Sequence, residues 1–116
     1  MVSPLALRIK HEPLRSRAAA TITAAYLPIG TAIENQARNM LIQNLTDKIL
    51  FFSLNGVDDG FPLLQNTSFV LDITANKTFD TGFFLSVGEK LYVKYDAVIG
   101  APTAGTYVYL TVFYGD

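Results

Sequence analysis

The chain of 116 residues has one histidine, His11, and no cysteine. A Ser/His or Cys/His nucleophile pair would have to use that histidine, which lies between Lys10 and Glu12 near the N-terminus. One imidazole per chain cannot build a histidine-based metal site, and a thiolate zinc site has no ligands. The residue types therefore predict no enzyme, no metal and no cofactor.

Asp58 and Asp59 are adjacent carboxylates that could bind calcium, because hard cations take clustered carboxylate and carbonyl oxygens. Their spacing is not that of an EF-hand, and Gly60 follows them directly. Asp-Gly is ordinary turn chemistry, so a turn explains the pair without an ion. Carboxylates for glycoside hydrolysis would also need a cleft, which a small sandwich without long loops is not expected to form.

Tyr107, Tyr109 and Phe113 fall on one side of the last predicted strand and could stack on bases or sugars. The rest of that region is poor in Arg and Lys, which disfavours a groove for a nucleic-acid backbone. Because Tyr is enriched at protein interfaces, the pattern favours packing between subunits. A glycan-binding module that uses this Tyr face and the Asp58-Asp59 loop is an alternative of a different class.

Charge divides the chain into two parts. Residues 1–17 carry four Lys or Arg against one acid, or +3, and residues 18–116 carry five against nine, or −4. Leu5, Leu7 and Ile9 alternate within the basic part, which suits strand addition or a groove on another molecule. We therefore expect an extended arm over residues 1–17 that docks on an acidic protein surface, including that of a neighbouring copy.

The remaining residues, 18–116, predict one β-sandwich domain. Half of the chain is apolar, and short alternating segments are separated by Gly, Pro and Asn turns. Segment 48–54 is apolar on both faces, so a loop or another subunit must cover one of them. Periodicity predicts an all-β, antiparallel sandwich but leaves jelly-roll and immunoglobulin-like connections open. The strands are expected at 18–27, 39–45, 48–54, 68–73, 83–87, 91–95 and 106–114, and residues 61–64 are expected to return the chain to the core.

Inward and outward residues follow from the same alternation. We expect Met40 and Ile42 to share one side of their strand, and Leu91 and Val93 to share one side of theirs. Val108, Leu110 and Val112 are expected on the side opposite the tyrosines, and Val70 is expected to face outward. No apolar run reaches about 20 residues, so a soluble protein made in a cytoplasm, without a membrane partner, is expected.

Five segments, in order, resemble small virion structural proteins of tailed bacteriophages: RIKHEPLRSR, ARNMLIQNLTDKILFFSLNGVDDGFPL, SFVLDITANK, GFFLSVGEKLYVKYD and GTYVYLTVFYGD. The resemblance covers nearly the whole chain and is carried by short β phrases rather than by an active-site motif. It implies a jelly-roll-like fold and a structural role in the virion as a capsid cement or decoration protein, a head-fibre base or a connector subunit.

The resulting hypothesis is a homo-oligomeric capsid decoration protein that binds the major capsid protein or other virion proteins, with a head-to-tail connector or tail subunit as the alternative. Deletion of residues 1–17 is then expected to abolish incorporation into particles and to leave the fold intact. The residues expected to contact partners are Leu5, Leu7, Arg8, Ile9, Lys10, Arg15, Arg17, Phe52, Tyr107, Tyr109 and Phe113.

Overall fold

Strands with alternating apolar side chains form two antiparallel sheets that pack face to face, which confirms the predicted all-β sandwich. The computed structural model describes residues 9–35, 37–72 and 87–115. The first sheet contains β1 (Ile9–His11), β2 (Arg15–Ala18), β4 (Asn39–Asn44), β7 (Thr67–Asp72) and β9 (Tyr107–Gly115). The second contains β3 (Leu27–Pro28), β5 (Leu50–Ser53), β6 (Phe61–Leu63) and β8 (Tyr92–Tyr95).

The order of the strands in each sheet follows from the hydrogen-bonded pairing of neighbouring strands. In the first sheet β9 lies between β4 and the edge formed by β1 and β2, and β7 forms the other edge. In the second sheet the order is β3, β8, β5, β6. The chain changes sheet at most of its connections, so the two sheets are tied together repeatedly along the sequence.

The core lies between the sheets and matches the predicted alternation. Val108, Leu110 and Val112 on β9 are at most 1% exposed, and Met40 and Ile42 on β4 are fully buried. The inward residues predicted for these strands are therefore confirmed. Residues from β5, β6, β8 and the connecting segments complete the cluster, namely Ile22, Ile29, Ile33, Ala37, Leu50, Phe52, Leu63, Leu91 and Val93.

Phe52 is part of this core, which corrects its expected role as a subunit contact. Its side chain is fully buried, and its ring stacks on that of Phe61 with centroids 5.5 Å apart and planes inclined by 11°. A side chain without exposed area cannot touch a partner while the fold is intact. On the other side of β5, Phe51 is half-buried and opposes Pro62 of β6.

The segment predicted as a strand at 18–27 has a different structure. Ala18 is the last residue of β2, residues Ala19–Thr21 form a short 3-10 helix, and Leu27 is the first residue of β3. Pro28 is the second residue of β3; this edge strand tolerates the missing N–H group. The strand predicted at 83–87 lies outside the described residues except for Val87, which is in a turn.

A β-bulge separates β1 from β2. His11 pairs with Phe113, whereas Arg15 pairs with Leu110, so four steps along one strand correspond to three along β9. Pro13 and Leu14 supply the extra residue, and proline inside a sheet is usual at such a bulge. Because side chains alternate with a period of two, the bulge turns Arg15 to the inner side of the sheet, where Leu110 also points.

Arg15 is only 5% exposed and bonds to its own chain. Its Nε donates to the carbonyl oxygen of Thr31 over 2.8 Å, and its Nη2 donates to that of Ala32 over 2.9 Å. Arg17 acts in the same way, since its Nη1 donates to the carbonyl oxygen of Pro28 over 2.9 Å. The two guanidinium groups therefore join the edge of the first sheet to β3 and to the segment that follows it.

Residues 9–17 consequently belong to the sandwich rather than to a separate arm. This differs from the expected arm, because β1 and β2 both pair with β9 and the side chain of Arg15 is buried in the sandwich. Deleting residues 1–17 would remove both strands, so an intact fold is no longer expected for that variant. Residues 1–8 of the predicted arm lie outside the described residues.

Glu12 completes the closure at this edge and is 2% exposed. Its Oε2 accepts hydrogen bonds from the backbone N–H groups of Glu34 (3.0 Å) and Asn35 (2.6 Å), and from the Asn35 side chain (2.8 Å). Its Oε1 lies 2.8 Å from Arg15 Nη2, an ion pair without an aligned hydrogen bond. Burial raises the pKa of Glu12, but the hydrogen bonds and the guanidinium outweigh burial and hold the pKa below its usual value.

Asn44 provides a second buried polar link and is fully buried at the end of β4. Its Nδ2 donates to the carbonyl oxygens of Lys48 and Leu63, each over 3.0 Å, and its Oδ1 accepts from the hydroxyl of Thr46 over 2.6 Å. The side chain thereby joins the turn after β4, in the first sheet, to the end of β6, in the second. Such satisfied groups specify one arrangement of the two sheets.

Replacing Glu12 with Gln should destabilise the fold by about 3 kcal/mol, because the buried Arg15 would lose its counter-charge. The folded-state pKa of Glu12 is depressed, so its stabilisation is present above the usual value of 4.5 and is lost as the pH falls through the lower pKa. Urea unfolding between pH 7 and 3 should therefore show a shallower acid limb for Glu12→Gln. Glu34→Gln, which changes an exposed neighbour, is the control; equal stability and equal pH slopes for the two variants would contradict the role of Glu12.

Gly30→Ala should destabilise the fold more than Gly105→Ala. Both glycines have positive φ angles, +70° and +94°, so both substitutions strain the backbone. Only at Gly30 would the added Cβ lie 2.8 Å from Arg15 Cγ, whereas Gly105 has open space. We expect an additional loss of about 1–3 kcal/mol at Gly30, measured by urea unfolding. Equal losses at the two positions would mean that the close approach of Arg15 is unimportant.

Candidate protein-binding face

The side of the first sheet that points away from the core is called here the outer face. Its residues alternate with the buried ones, so Tyr107, Tyr109, Thr111 and Phe113 of β9 all lie on it. The ladders align neighbouring strands into rows. Leu41 of β4 pairs with Thr111 and with Val70 of β7, and Gln43 pairs with Tyr109 and Ser68.

Several apolar side chains on the outer face contact solvent. Val70 is 59% exposed, Tyr107 is 42% exposed, and Ile9 at the β1 edge is 69% exposed. The rings of Tyr107 and Tyr109 stack with centroids 5.9 Å apart and planes inclined by 25°. Such pairs form rigid aromatic ridges, since each tyrosine has few rotatable bonds to immobilise on binding.

The outer face also has little charge. Asp72, which pairs with Asn39 at the end of β7, is an acidic residue at an outward strand position. The outward positions with described side chains contain no Lys, Arg, Asp or Glu; they are Ile9, His11, Ser16, Ala18, Asn39, Leu41, Gln43, Ser68, Val70, Tyr107, Tyr109, Thr111 and Phe113. A sheet with one wet face normally alternates apolar residues with charged and polar ones. Depletion of charge together with enrichment of Tyr and Phe is instead typical of the centre of a protein interface.

The outer side of the second sheet differs, because charged residues form a network there. The hydroxyl of Tyr26 donates to Asp59 Oδ1 over 2.6 Å, and Lys94 Nζ lies 3.2 Å from the same oxygen. Lys94 also lies over the Tyr26 ring, 4.8 Å from its centroid. The hydrogen bond from Tyr26, and after it the one from Lys94, holds the pKa of Asp59 below its usual value. Burial, and after it the hydrogen bond to Asp59, raises the pKa of Tyr26. Phe51, Pro62 and Tyr92 also occupy outward strand positions of this sheet, so the ion pair lies beside aromatic and apolar residues.

The Asp58-Asp59 loop between β5 and β6 is held by its own turn. Asn55 Oδ1 accepts from the backbone N–H groups of Val57 and Asp58, each over 2.9 Å, and Asn55 Nδ2 donates to Asp58 Oδ2 over 3.0 Å. The loop borders an open cavity of about 350 Å³ whose walls include Leu54 and Phe61. In the part of the chain that the structure describes, no group of three or more His, Asp or Glu side chains is placed to hold a metal ion.

The glycan hypothesis needed the Tyr face and this loop in one site. Tyr107 and Tyr109 lie on the outer face of the first sheet, whereas Asp58 and Asp59 follow β5 in the second sheet. The structure therefore does not bring the two halves of that proposed site together.

The residues predicted to bind partners separate into three groups. Tyr107, Tyr109 and Phe113 share the outer face with Ile9. Arg15 and Phe52 are buried, which corrects their predicted roles, and Arg17 bonds to carbonyl oxygens of its own chain. Lys10, the third basic residue of the group with a described position, is half-buried and pairs with Tyr114 of β9. Leu5, Leu7 and Arg8 lie outside the described residues.

Sequence reasoning did not include Leu41, Val70 and Thr111 among the contact residues. Each of them occupies an outward position in its own strand, and an outward Val70 was predicted. The missing information was the pairing of β4 with both β7 and β9, which places the three side chains in one row. Alternation within a strand shows the side on which a residue lies but not its neighbours across the sheet.

Comparison with known proteins gives no assignment. No protein-family model matches the chain, and no curated protein matches it in sequence. Within the described ranges, no helix is long and apolar enough to span a membrane. The functional argument therefore depends on the residues of the outer face and on their surroundings.

Proposed function

We propose that the chain is a non-enzymatic structural protein of a phage virion, most specifically a capsid cement or decoration protein. It binds the major capsid protein and sister copies through the outer face of the first sheet. The observation that carries this proposal is the composition of that face, which is aromatic and aliphatic, with Asp72 as the one acidic residue among its described strand positions. The location in the virion is supported by the resemblance of five sequence segments to small phage structural proteins.

Energetics favour burial of the outer face in an assembly. Exposed apolar area stabilises a complex by about 25 cal/mol per Å² when it is removed from water, so a few hundred Å² contribute several kcal/mol before association costs. The face bears no long Lys, Arg or Glu side chain at a described position, so little side-chain entropy is lost when it is covered. Asp72 is the one acidic residue among the described strand positions of the face, so few charges have to be desolvated or paired.

The strand order supports a narrower fold assignment as a jelly roll. Among the described residues each sheet has four strand positions, β1/β2, β9, β4, β7 and β3, β8, β5, β6, and most successive strands cross between the sheets. This is the order expected when two Greek keys wrap around one core. Jelly rolls occur in capsid proteins and in lectins alike, so the fold does not choose between these functions. The aromatic and weakly charged composition of the outer face favours the structural role.

The test is binding to particles of the encoding phage that lack this protein. Full-length protein should bind in many copies, and Val70→Lys should bind at least about tenfold more weakly, because an ammonium group would be buried without a partner. Val98→Lys adds the same charge to a loop residue that is 95% exposed and should bind normally. Both variants should keep their stability within about 0.5 kcal/mol.

Normal binding of Val70→Lys would contradict the assignment of the outer face, and failure of the unaltered protein to bind would contradict the decoration role. Binding of a single ring of copies at one vertex would favour the connector alternative. Copy number can be measured by quantitative mass spectrometry of purified particles.

A further inference from the structure

The loop between β5 and β6 contains the two dipeptides of this chain that are most susceptible to spontaneous rearrangement of the backbone. They are Asn55-Gly56 and Asp59-Gly60, and no other Asn-Gly or Asp-Gly occurs in the sequence. In such a dipeptide the glycine nitrogen attacks the carbonyl carbon of the preceding side chain, because glycine has no Cβ to hinder the approach. For asparagine, a thermolabile residue, the new N–C bond displaces the side-chain nitrogen, which leaves as ammonia with the glycine proton. Water then opens the resulting succinimide ring to aspartate or isoaspartate.

The fold requires both glycines of this loop. Gly56 has a φ angle of +75°, and a Cβ at this position would lie 3.2 Å from the ring of Tyr92. A Cβ at Gly60 would lie 2.8 Å from the carbonyl oxygen of Phe52, which is closer than a side chain can approach. Neither position takes a larger residue without movement of the loop. The two labile dipeptides are therefore a consequence of how the chain turns between β5 and β6.

Hydrogen bonds hold both reacting groups of Asn55-Gly56. The N–H group of Gly56, which contains the attacking nitrogen, donates to Ser53 Oγ over 3.0 Å. The Nδ2 of Asn55, which is the leaving group, donates to Asp58 Oδ2 over 3.0 Å. Ser53 is the last residue of β5 and is 1% exposed, so the sheet fixes the position of its hydroxyl. Both hydrogen bonds must break for ammonia to leave, because the reaction removes the glycine proton and the side-chain nitrogen.

The second dipeptide of the loop is held in a similar way. The N–H group of Gly60 donates to the carbonyl oxygen of Phe52 over 2.8 Å, and Asp59 Oδ1 accepts from the hydroxyl of Tyr26 over 2.6 Å. The two glycine nitrogens of the loop are thus both bonded to residues of β5. Separation of the loop from β5 is therefore the event that exposes them to reaction.

We propose that Asn55 is a deamidation site that the folded β5–β6 loop suppresses, with Ser53 holding the attacking nitrogen and Asp58 holding the leaving amide. Opening of a loop is fast compared with deamidation, so the rate of conversion follows the fraction of chains in which the loop is open. The conversion is irreversible in its effect on the loop. Aspartate at position 55 places a carboxylate beside Asp58 where the Nδ2 donor had been, and isoaspartate lengthens the backbone by one carbon atom. This inference goes beyond the proposed function and does not depend on it.

The test is the rate of deamidation of the full-length protein at mildly alkaline pH, measured by peptide mass spectrometry that separates aspartate from isoaspartate. The unaltered chain unfolded in urea should convert at least about tenfold faster at Asn55 than the folded chain. Ser53→Ala removes the acceptor of the Gly56 N–H group and should raise the rate in folded protein several-fold. Asp58→Ala, which changes an exposed residue, should raise it as well and provides the test if Ser53→Ala does not fold.

Gly30→Ala is the matched control, since it weakens the fold at Arg15 and leaves the hydrogen bonds of this loop in place. Under conditions in which that variant is folded, Asn55 should convert as slowly as in the unaltered protein. Equal rates in the folded and unfolded parent chain would overturn the proposal. So would an unchanged rate in folded Asp58→Ala and Ser53→Ala, or an increase in Gly30→Ala as large as theirs, because conversion would then follow global unfolding rather than opening of the loop.

Discussion

A one-residue bulge between β1 and β2 determines which side chains of β2 point into the core and which lie on the outer face of the first sheet. With an unbroken register, Arg15 would pair with Tyr109 and point outward; the bulge at Pro13 and Leu14 pairs it with Leu110 and turns it inward. Arg17 turns inward with it. The same shift therefore closes the edge of the sandwich with two guanidinium groups and keeps their charges off the outer face.

The inward charges are tolerated because each charged group has several partners in its own chain. Arg15 meets two carbonyl oxygens and the Glu12 carboxylate, and Glu12 accepts three hydrogen bonds from the segment at 34–35. A buried ion pair contributes little net stability compared with apolar packing, but losing one partner is costly. We infer that the Glu12–Arg15 ion pair fixes how β1 and β2 pack against the second sheet. The position of Ile9 at the edge of the outer face follows from that packing.

The sequence predicted the elements that depend on alternation within one strand. Val108, Leu110 and Val112 were expected on the side opposite the tyrosines, and the all-β sandwich followed from several such strands. It did not predict features that depend on contacts between distant segments. The bulge, the inward turn of Arg15 and the row of Val70, Leu41 and Thr111 all require the register of β9 with its neighbours. Phe52 was misjudged because β5 is apolar on both sides, and only the packing of Phe61 shows which side is the core.

The most direct test of the central claim, that the outer face is a protein-binding surface, is hydroxyl-radical footprinting of the protein free in solution and assembled on particles. Tyr107 lies on the outer face, and Tyr26 lies on the outer side of the second sheet, so the two report on opposite sides of the sandwich. Our account predicts that assembly protects Tyr107 from oxidation and leaves Tyr26 unchanged. Unchanged oxidation of Tyr107, or protection of Tyr26 instead, would contradict it.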